Sequence, residues 1–498
     1  MKDEKKYLIL INDSCYNEGL KSPLPPFSRE VVKFSLFGRK SPDFPPLEKG
    51  DKGGFKNLVS RVFAYFLIIL IFLCLVSSVE SYILSVSHLP QLQKGYAFLL
   101  ITDLSGVGPS VDVSFYDESG KEASIIRKLL PPKGKIQISV RDHLKSSGSI
   151  VVESSNEVIL AEYWQIYKDG TISVLPLQLS DGEDRYLLNC FRFPSYDESY
   201  ITICDPKGTG PMVQMEFYSK SGELVKIARK MLRPHGILTF KTGDYASKDV
   251  IGKVSVRSFG GSITLYTIYL CSKKTVFALP IPTPSRDFIV EEFSSSKGVN
   301  SGIIILDASA KGTRVKISLL DDRDGTINSF ERSLSANSAI FLDLSEFADN
   351  IENGIIKINS ESEIIVNYWE EDLRTGDLMF DTACDDPKPS ARYSYNILST
   401  SYLSFQDNAN FIISILNIGQ ESVVAEIEIY NSEGERIGSK KISIKPYERF
   451  KESMNHYFGE LRLGTIVVRD PNSSLIITSS IVNTKNGRLF GKIHAISR

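Results

Sequence analysis

The sequence of 498 residues is poor in the residue types that carry most enzyme chemistry, with 5 histidines, 6 cysteines and 2 tryptophans. Neither an HExxH nor a GxSxG pattern occurs, and no C-x-x-C pair indicates zinc. Adjacent carboxylates such as Glu291 and Glu292 point to opposite faces of a strand, so they cannot act as an acid–base pair, and we expect them in solvated linkers. The histidines share no motif and are scattered along the chain: His88, His143, His235, His456 and His494. The sequence therefore predicts a protein that is not an enzyme and has no cofactor or metal site.

An excess of charge of one sign is also missing. Lys and Arg number 58 and Asp and Glu 60, which gives a formal net charge of -2. No global field draws such a chain to nucleic acid or to an anionic membrane surface. The hydrophobic content of 42% and the charged content of 24% are typical of folded domains and exclude a mainly disordered chain. At about 100–200 residues per domain, the length predicts three to five domains.

Residues 1–57 differ in composition from the rest of the chain. KSPLPPF at residues 21–27 is echoed by KSPDFPPL at residues 40–47, and prolines at this spacing disfavour both helices and central strands. The segment is similar to the translated read-through of interspersed bacterial DNA repeats. Two interpretations stay open: an over-extended start, or a disordered cytoplasmic tail.

The longest apolar run follows, from Val62 to Val76 after Arg61. It is short for a span of about 20 residues, and small Ser77 and Ser78 come next, which predicts a signal peptide over residues 58–78. If the long N-terminus is translated, residues 62–79 become a signal anchor with the preceding basic residues inside. Both alternatives predict an extracytoplasmic location for the remainder: secreted, periplasmic or at the cell surface. Contact with a membrane is expected only through this segment, if it stays uncleaved.

Beyond it, one 22-residue pattern is written four times. The copies begin at Val111 (VDVSFYDESGKEASIIRKLLPP), Val213 (VQMEFYSKSGELVKIARKMLRP), Val315 (VKISLLDDRDGTINSFERSLSA) and Ala425 (AEIEIYNSEGERIGSKKISIKP). Alternation of apolar and polar residues around a central turn glycine predicts a β-hairpin in each. These glycines are Gly120, Gly222, Gly325 and Gly434.

A polar residue precedes each copy by eight positions, at the end of an apolar strand. A side chain there is expected to accept a hydrogen bond from the backbone N–H two residues on, which is a fold role and not a ligand role. Three aspartates and one asparagine fill the position: Asp103, Asp205, Asp307 and Asn417.

The remaining strand signals complete an all-β prediction. In the first copy they lie near residues 81–89, 96–102, 110–116, 123–130, 135–140, 149–154, 158–167 and 171–177, with almost no helical periodicity. Short strands with frequent turn signals predict four tandem antiparallel β-sandwich (Ig-like) domains. The leading strand of each copy is expected to complete its sandwich. The predicted domains cover residues 79–179, 180–283, 284–386 and 387–498, and we call them repeats 1 to 4.

The combination of recurring features resembles a known kind of repeat. HLP or FP at Pro90 and Pro194, a strand ending in Asp or Asn, a V-x-V-x-F-Y hairpin with D-x-x-G, and L-x-P before the next strand are similar to tandem β-sandwich repeats of bacterial exported and cell-surface proteins. The resemblance covers residues 81–498 and implies an extracytoplasmic, non-enzymatic module without established ligand residues. Repeats 3 and 4 lack the leading proline, and repeat 3 lacks the proline at 336.

Few residues stand out as ligand sites. Aligning Val158 with Ile364 places Trp164 and Trp369 on opposite faces of their sheets, so Trp164, with Tyr167 nearby, is a candidate for stacking on a sugar; packing in the core or between repeats is the alternative. The acidic turn at Asp321 lacks the spacing of an EF-hand and is predicted to be a solvated hairpin turn. The exported part carries four cysteines, for which a disulfide within repeat 2 and buried free thiols both stay open: Cys190, Cys204, Cys271 and Cys384.

The functional prediction is a structural or adhesive protein, a rod of four β-sandwiches that serves as a spacer or interaction scaffold. The alternative is a binding module for glycan or protein, with a site on one diverged repeat. The expected partner is a protein or a cell-envelope glycan. A specific site should lie where the copies disagree, in the loops at 102–110 and 141–148 or in the tyrosine-rich approach to repeat 4 at Tyr393, Tyr395 and Tyr402.

Overall fold

A computed structural model describes residues 82–89, 95–167, 172–179, 185–190, 196–245, 252–271, 276–280, 283–296, 298–321, 325–348, 351–373, 377–382, 384–385, 396–403, 409–458, 463–470, 474–483, 489–494 and 496–497. All of them belong to one compact unit that spans Ser78–Arg498. In these ranges no helix is both long enough and apolar enough to cross a membrane. The predicted proline-rich segment and signal segment lie outside the described residues, so both stay predictions.

Repeat 1 is built from antiparallel strands in two sheets. One sheet has the order β4-β3-β6-β1-β9 and the other the order β5-β2-β7-β8. Its strands are β1 Tyr82–His88, β2 Gly95–Asp103, β3 Ser110–Asp117, β4 Glu122–Leu129, β5 Lys135–Ser139, β6 Gly148–Ser154, β7 Ile159–Tyr167, β8 Ile172–Pro176 and β9 Gln178–Leu179. They match the predicted strands closely, because the period of two in the sequence matches the pleat.

The other repeats use the same strand order. Repeat 2 contains β10 Arg185–Cys190, β11 Tyr196–Cys204, β12 Met212–Tyr218, β13 Leu224–Met231, β14 Ile237–Lys241, β15 Gly252–Phe259, β16 Thr264–Cys271 and β17 Val276–Pro280. Repeat 3 contains β18 Ser285–Ser295, β19 Val299–Asp307, β20 Thr313–Leu320, β21 Thr326–Leu334, β22 Ala339–Asp343, β23 Ile351–Asp372, β24 Asp377–Thr382 and β25 Cys384–Asp385. Repeat 4 contains β26 Asn396–Leu403, β27 Ala409–Asn417, β28 Val423–Asn431, β29 Arg436–Ile444, β30 Arg449–Ser453, α1 Asn455–Phe458, β31 Leu463–Asp470, β32 Leu475–Asn483, β33 Leu489–His494 and β34 Ile496–Ser497.

The all-β antiparallel prediction is confirmed, and so is the role of the leading strand. β1 pairs with β6 in the register Leu84↔Val152, and β10, β18 and β26 pair in the same way with β15, β23 and β31. Repeat 3 differs in that the uninterrupted β23 takes part in both layers. Short 3-10 turns follow the fifth strand in three repeats: Val140–Asp142, Thr242–Asp244 and Leu344–Glu346.

The core of each repeat lies between its two layers. In repeat 1, Val113 and Phe115 of β3 face Leu99 and Tyr163 of the other sheet, and all four are at most 1% exposed. Burying each such side chain contributes about 1.5–3 kcal/mol. The hairpins form as predicted, with β3–β4, β12–β13, β20–β21 and β28–β29 paired in register.

Candidate functional site

The hairpin turns of repeats 1, 2 and 4 each contact a neighbouring repeat. The turn of one repeat lies against the loop that follows the L-x-P position of the next. Ile237 N donates to Glu118 O at 3.5 Å between repeats 1 and 2, and Ala339 N donates to Lys220 O at 3.1 Å between repeats 2 and 3. The same bond links repeat 4 back to repeat 1, where Lys135 N donates to Ser432 O at 2.7 Å.

Repeats 3 and 4 meet through side chains. Lys357 Nζ donates to Tyr447 Oη, and Lys451 pairs with Glu292 at 2.9 Å. Arg449 Nη1 donates to Asn353 O at 3.2 Å. Contacts thus join repeat 1 to repeat 2, repeat 2 to repeat 3, repeat 3 to repeat 4 and repeat 4 to repeat 1, which is a closed cycle. The predicted rod is therefore wrong for the arrangement of the repeats, because in a rod the first and last copies do not touch.

The turn glycine is required by this close approach. Gly434 has φ 84° and a Cβ there would lie 1.9 Å from Pro132 O. A Cβ at Gly120 would lie 1.8 Å from Pro234 O of the next repeat, and a Cβ at Gly222 would lie 2.1 Å from Ala336 O. Any L side chain would both strain the backbone and push the repeats apart. Among the four predicted turn glycines, Gly325 does not lie in the left-handed region, and its N–H instead donates to Asp321 Oδ1 at 2.6 Å.

The strand-exit polar residue holds the loop on which the turn rests. Asp103 Oδ1 accepts from Ser105 N at 2.8 Å, two residues on, as predicted. Its Oδ2 accepts from Lys133 N, 30 residues on, at 3.0 Å. Lys133 is one of four residues at this loop position that have a positive φ of 57–61°: Lys133, His235, Asn337 and Tyr447. The carboxylate thus fixes the loop in the conformation that receives the preceding repeat.

Asn417 also holds its loop, but its side-chain amide donates hydrogen bonds where the aspartates only accept them. Its Oδ1 accepts from Gly419 N at 2.9 Å, but its Nδ2 donates to Glu421 O at 2.7 Å and to Ile444 O at 3.0 Å. Asp307 keeps the carboxylate pattern and accepts from Asn337 N at 2.7 Å. The predicted fold role, a hydrogen bond accepted from the backbone N–H two residues on, is confirmed for Asp103 and Asn417.

In two junctions the left-handed loop residue lies against a tyrosine of the neighbouring repeat. His235 stacks on Tyr116 with ring centroids 4.2 Å apart and planes at 7°. Lys133 Nζ lies 5.2 Å from the ring centroid of Tyr430. The pairs differ in chemistry although the backbone contact is the same. Both partners are tyrosines at the same position of the repeat, so the difference between these two junctions lies in the loop residue.

A second varying position lies one residue after the glycine that opens the sixth strand of each repeat. Ser149 Oγ donates to His235 O at 2.6 Å. Lys253, fully buried, donates to Asp307 O at 3.0 Å and to Asn337 Oδ1 at 2.5 Å. Repeats 3 and 4 have Ile355 and Thr465 here, and both are also buried.

The junction from repeat 4 to repeat 1 contains a buried lysine of its own. Lys135 is 3% exposed, and its Nζ donates to Gly464 O at 2.8 Å. Loss of solvation on burial lowers the pKa of Lys135 to about 7, and the nearby Glu162 carboxylate opposes that shift. The ammonium group therefore carries a desolvation cost that its carbonyl partner offsets only in part.

Trp164 belongs to the same junction. It is fully buried and lies in one apolar cluster with Leu100 of repeat 1 and with Phe411 and Phe458 of repeat 4. Its Nε1 donates to Glu162 Oε2 at 3.4 Å. The ring is covered by the neighbouring repeat and cannot stack on a ligand at the surface, so this predicted role of Trp164 is wrong. The side chain of Tyr167 lies outside the described residues.

The expected opposite orientation of the two tryptophans is wrong as well. β7 pairs with β2 in the register Leu99↔Tyr163, and β23 pairs with β19 in the register Ile303↔Tyr368. Trp164 and Trp369 each follow the tyrosine, so they occupy equivalent positions. The stretch from Gly148 to Ile159 is one residue longer than that from Gly354 to Ile364, and a shift of one residue inverts the face.

Of the two alternatives for the cysteines, Cys204 takes the second, a buried free thiol and not a disulfide. It is a buried free thiol whose Sγ lies 2.9 Å from Thr264 Oγ1 and 3.7 Å from Ser85 Oγ of repeat 1. Burial raises the pKa of this thiol. The side chains of Cys190, Cys271 and Cys384 lie outside the described residues.

The other polar candidates are structural where they are described. Among the described residues, no group of three or more His, Cys, Asp or Glu side chains could hold a metal ion. Glu291 is 2% exposed, and Glu292 joins the ion pair at the junction of repeats 3 and 4, so the expectation of solvated linkers is wrong for this pair. Tyr393 and Tyr395 and the side chain of Tyr402 lie outside the described part.

One open cleft of about 600 Å³ lies between repeats 1 and 2. Leu89, Glu118 and Ser147 contribute from repeat 1. The wall from repeat 2 is formed by Tyr200, Met231, Arg233, Ile237, Leu238 and Thr239. Met231 is 64% exposed and Arg233 is exposed. The cleft thus combines apolar surface with a cation, the carboxylate of Glu118 and hydroxyl groups.

Comparisons with known proteins identify no family to which the chain belongs. No family model matches it, and no curated protein matches it. A tetra-tandem repeat from the extending region of a large adhesion protein is 12% identical over 83% of this chain and 99% of its own, with a TM-score of 0.11. An α-L-rhamnosidase of Streptomyces avermitilis is 9% identical over 66% of this chain and 44% of its own, with a TM-score of 0.16.

A family 32 glycoside hydrolase of Bifidobacterium adolescentis is 8% identical over 82% of this chain and 95% of its own, with a TM-score of 0.15. TM-scores this low do not establish a shared arrangement, so the activities of these proteins do not transfer to this chain.

Sequence reasoning missed the left-handed loop residues and their partners. The signal was present in the 22-residue pattern, which contains both the turn glycine and the residues just before the receiving loop. The pattern has the same length in all four copies. In the structure, the same constancy also keeps the turn of one repeat matched to the loop of the next.

Proposed function

We propose that this chain is a non-enzymatic, extracytoplasmic structural protein whose tandem β-sandwich repeats form a closed interaction scaffold. The closed cycle of junctions carries the proposal, because the recurring residues of the repeat serve contacts between copies. Asp103 holds a loop, Gly434 permits a close approach, and Trp164 fills an interface. A scaffold needs defined relative positions of its parts, and buried, chemically distinct junctions supply them.

The predicted signal segment at residues 58–78 supports the extracytoplasmic part of the proposal. The test is a fusion of alkaline phosphatase, which needs an oxidising compartment to fold, to the C-terminus of the full chain in a bacterial host. We expect phosphatase activity from the full chain and its loss when residues 58–78 are deleted. An active cytoplasmic reporter such as β-galactosidase at the same place, with silent phosphatase, would contradict export.

Protein binding is the form of the alternative function that the surface favours. The glycan form relied on Trp164 with Tyr167 nearby; Trp164 is buried, and the side chain of Tyr167 lies outside the described residues. The wall that repeat 2 contributes to the cleft offers apolar and cationic surface at Met231 and Arg233. Protease shaving of intact cells, followed by detection of fragments from repeats 1 to 4, separates surface display from a periplasmic location.

A further inference from the structure

Strand β13 is an edge strand with a free side. It ends the sheet order β10-β15-β12-β13 and pairs with β12 alone among the described strands. In an antiparallel edge strand, alternate N–H and C=O groups point away from the sheet and can pair with another chain. Its eight residues, Leu224–Met231, exceed the length of an average strand of about 5–6 residues.

The surface of β13 is unusually apolar for an edge. Leu224, Val225, Ile227 and Met231 are 51%, 52%, 45% and 64% exposed. The equivalent edge strands expose fewer large apolar side chains: β4 exposes Ile125 and Leu129, β21 exposes Ile327, and β29 exposes none of this kind among its described residues. The apolar edge is thus a property of repeat 2 and not of the repeat fold.

The same strand is strongly basic. Lys226, Arg229 and Lys230 lie on it and Arg233 follows two residues later, whereas Leu224–Met231 contains no acidic residue. No ion pair joins any of the four cations to a described acidic residue. Lys226 and Lys230 lie over the rings of Tyr245 and Phe240, and Arg229 Nε donates to Gln214 Oε1 at 2.7 Å. Arg233 lines the cleft between repeats 1 and 2, as does Glu118 of repeat 1.

We propose that β13, together with the adjoining cleft, binds an extended acidic segment of a partner protein by strand addition. The inference names the partner class of the scaffold and rests on that proposed function. Backbone pairing supplies the register, exposed apolar residues supply contact area, and the four cations select acidic side chains. The cleft receives the end of the segment beside Met231 and Arg233.

Two other occupants fit the surface less well. In a pair of β13 strands from two copies of the chain, the cations of both strands would face one another, and like charges placed opposite each other destabilise a sheet. An anionic glycan would satisfy the charges but leave the free backbone groups without a periodic partner. Lysine alone on an edge commonly protects against such pairing, but here four exposed apolar residues accompany the charges.

The test uses the purified full-length chain and a fluorescent peptide of alternating Glu and Val, measured by anisotropy. Its controls are a Lys–Val peptide and a Glu–Val peptide N-methylated at every residue, which keeps the charge but cannot pair. We expect binding of the first peptide alone, weakened by added salt. Binding of the Lys–Val or the N-methylated peptide with equal affinity, or no binding of the first, would overturn the proposal.

Matched charge reversals locate the site. Arg229→Glu/Arg233→Glu in repeat 2 should weaken binding by at least about tenfold. Lys441→Glu/Lys445→Glu, at the equivalent positions of repeat 4, should leave binding unchanged, and circular dichroism reports whether either variant has lost its fold. Equal binding by both variants would overturn the proposal in favour of another site. Self-association of the wild-type chain that Arg229→Glu/Arg233→Glu abolishes would overturn it in favour of a second copy of the chain. Loss of peptide binding with successful export of the phosphatase fusion would leave the scaffold proposal standing.

Discussion

Replacing Gly434 by alanine tests whether repeat 4 docks on repeat 1 in solution. A Cβ at this position would meet Pro132 O at 1.9 Å, whereas the same atom at Gly260, which has φ 89°, has nothing within 4 Å. Both substitutions force alanine into the left-handed region, at a cost of about 1–2 kcal/mol. Gly260→Ala therefore measures the backbone strain alone, and Gly434→Ala adds the junction.

The junction cost follows from the contacts that depend on this approach. Relief of the overlap requires the turn and the loop to separate by about 1.5 Å, which takes the 2.7 Å bond between Lys135 N and Ser432 O beyond hydrogen-bond range. Leaving that buried N–H unpaired costs about 1–3 kcal/mol. The bond from Lys135 Nζ to Gly464 O, at 2.8 Å in the same junction, is weakened as well. We expect Gly434→Ala to lower the free energy of unfolding by about 2–3 kcal/mol more than Gly260→Ala does.

Urea unfolding followed by tryptophan fluorescence measures both variants, because Trp164 lies in this junction. Gly120→Ala should resemble Gly434→Ala, since its Cβ would meet Pro234 O at 1.8 Å. If Gly434→Ala instead unfolds at the same urea concentration as Gly260→Ala, the turn of repeat 4 is free in solution and the closed cycle is refuted.

Two further predictions concern single side chains, and a third concerns the whole of repeat 4. Asp103→Asn should lower the free energy of unfolding by about 1–3 kcal/mol, because an amide N–H₂ replaces an acceptor. Asn417→Asp should lower it by a similar amount, because it places an oxygen against two carbonyls. Urea midpoints equal to that of the wild type for both variants would contradict their role in holding the loop. His88, whose pKa is lowered by burial from 6.5 to about 4, is neutral in the folded state, so stability should fall as pH drops from 6.5 towards 4, by up to about 3 kcal/mol. His88→Asn should flatten that pH profile in calorimetry, and an unchanged slope would assign it to other groups. Deleting the fourth repeat should shift the emission of Trp164 to the red in a Trp369→Phe background, whereas in a rod the emission would not move.

The strands were predictable because their signal is local. Val111, Val113 and Phe115 alternate with polar or half-exposed neighbours, and β3 covers the stretch that this alternation predicts. The cap at Asp103 was also predictable, since its bond to Ser105 N spans two residues. Both features depend on chain segments short enough to be interpreted without the tertiary structure.

The closed cycle was not predictable in the same way. A rod and a cycle have the same spacing between copies, and the difference lies in the side chains that meet at each junction. Tyr116 and His235 are separated by more than a hundred positions, and nothing in either local pattern indicates that they stack. The misplaced orientation of Trp164 has a smaller cause, a single extra residue in one turn.

The closed cycle has a consequence for how such an array can grow. Linear solenoids need terminal copies with a polar outer face, because their first and last units each leave one interface uncovered. Here repeats 1 and 4 cover one another with Leu100, Trp164, Phe411 and Phe458, so neither has to serve as a cap. A duplication that inserted a fifth copy would have to open this interface and expose its apolar residues. Adding a copy would therefore cost the burial of this interface, and we expect the array to evolve by divergence of its copies and not by their addition.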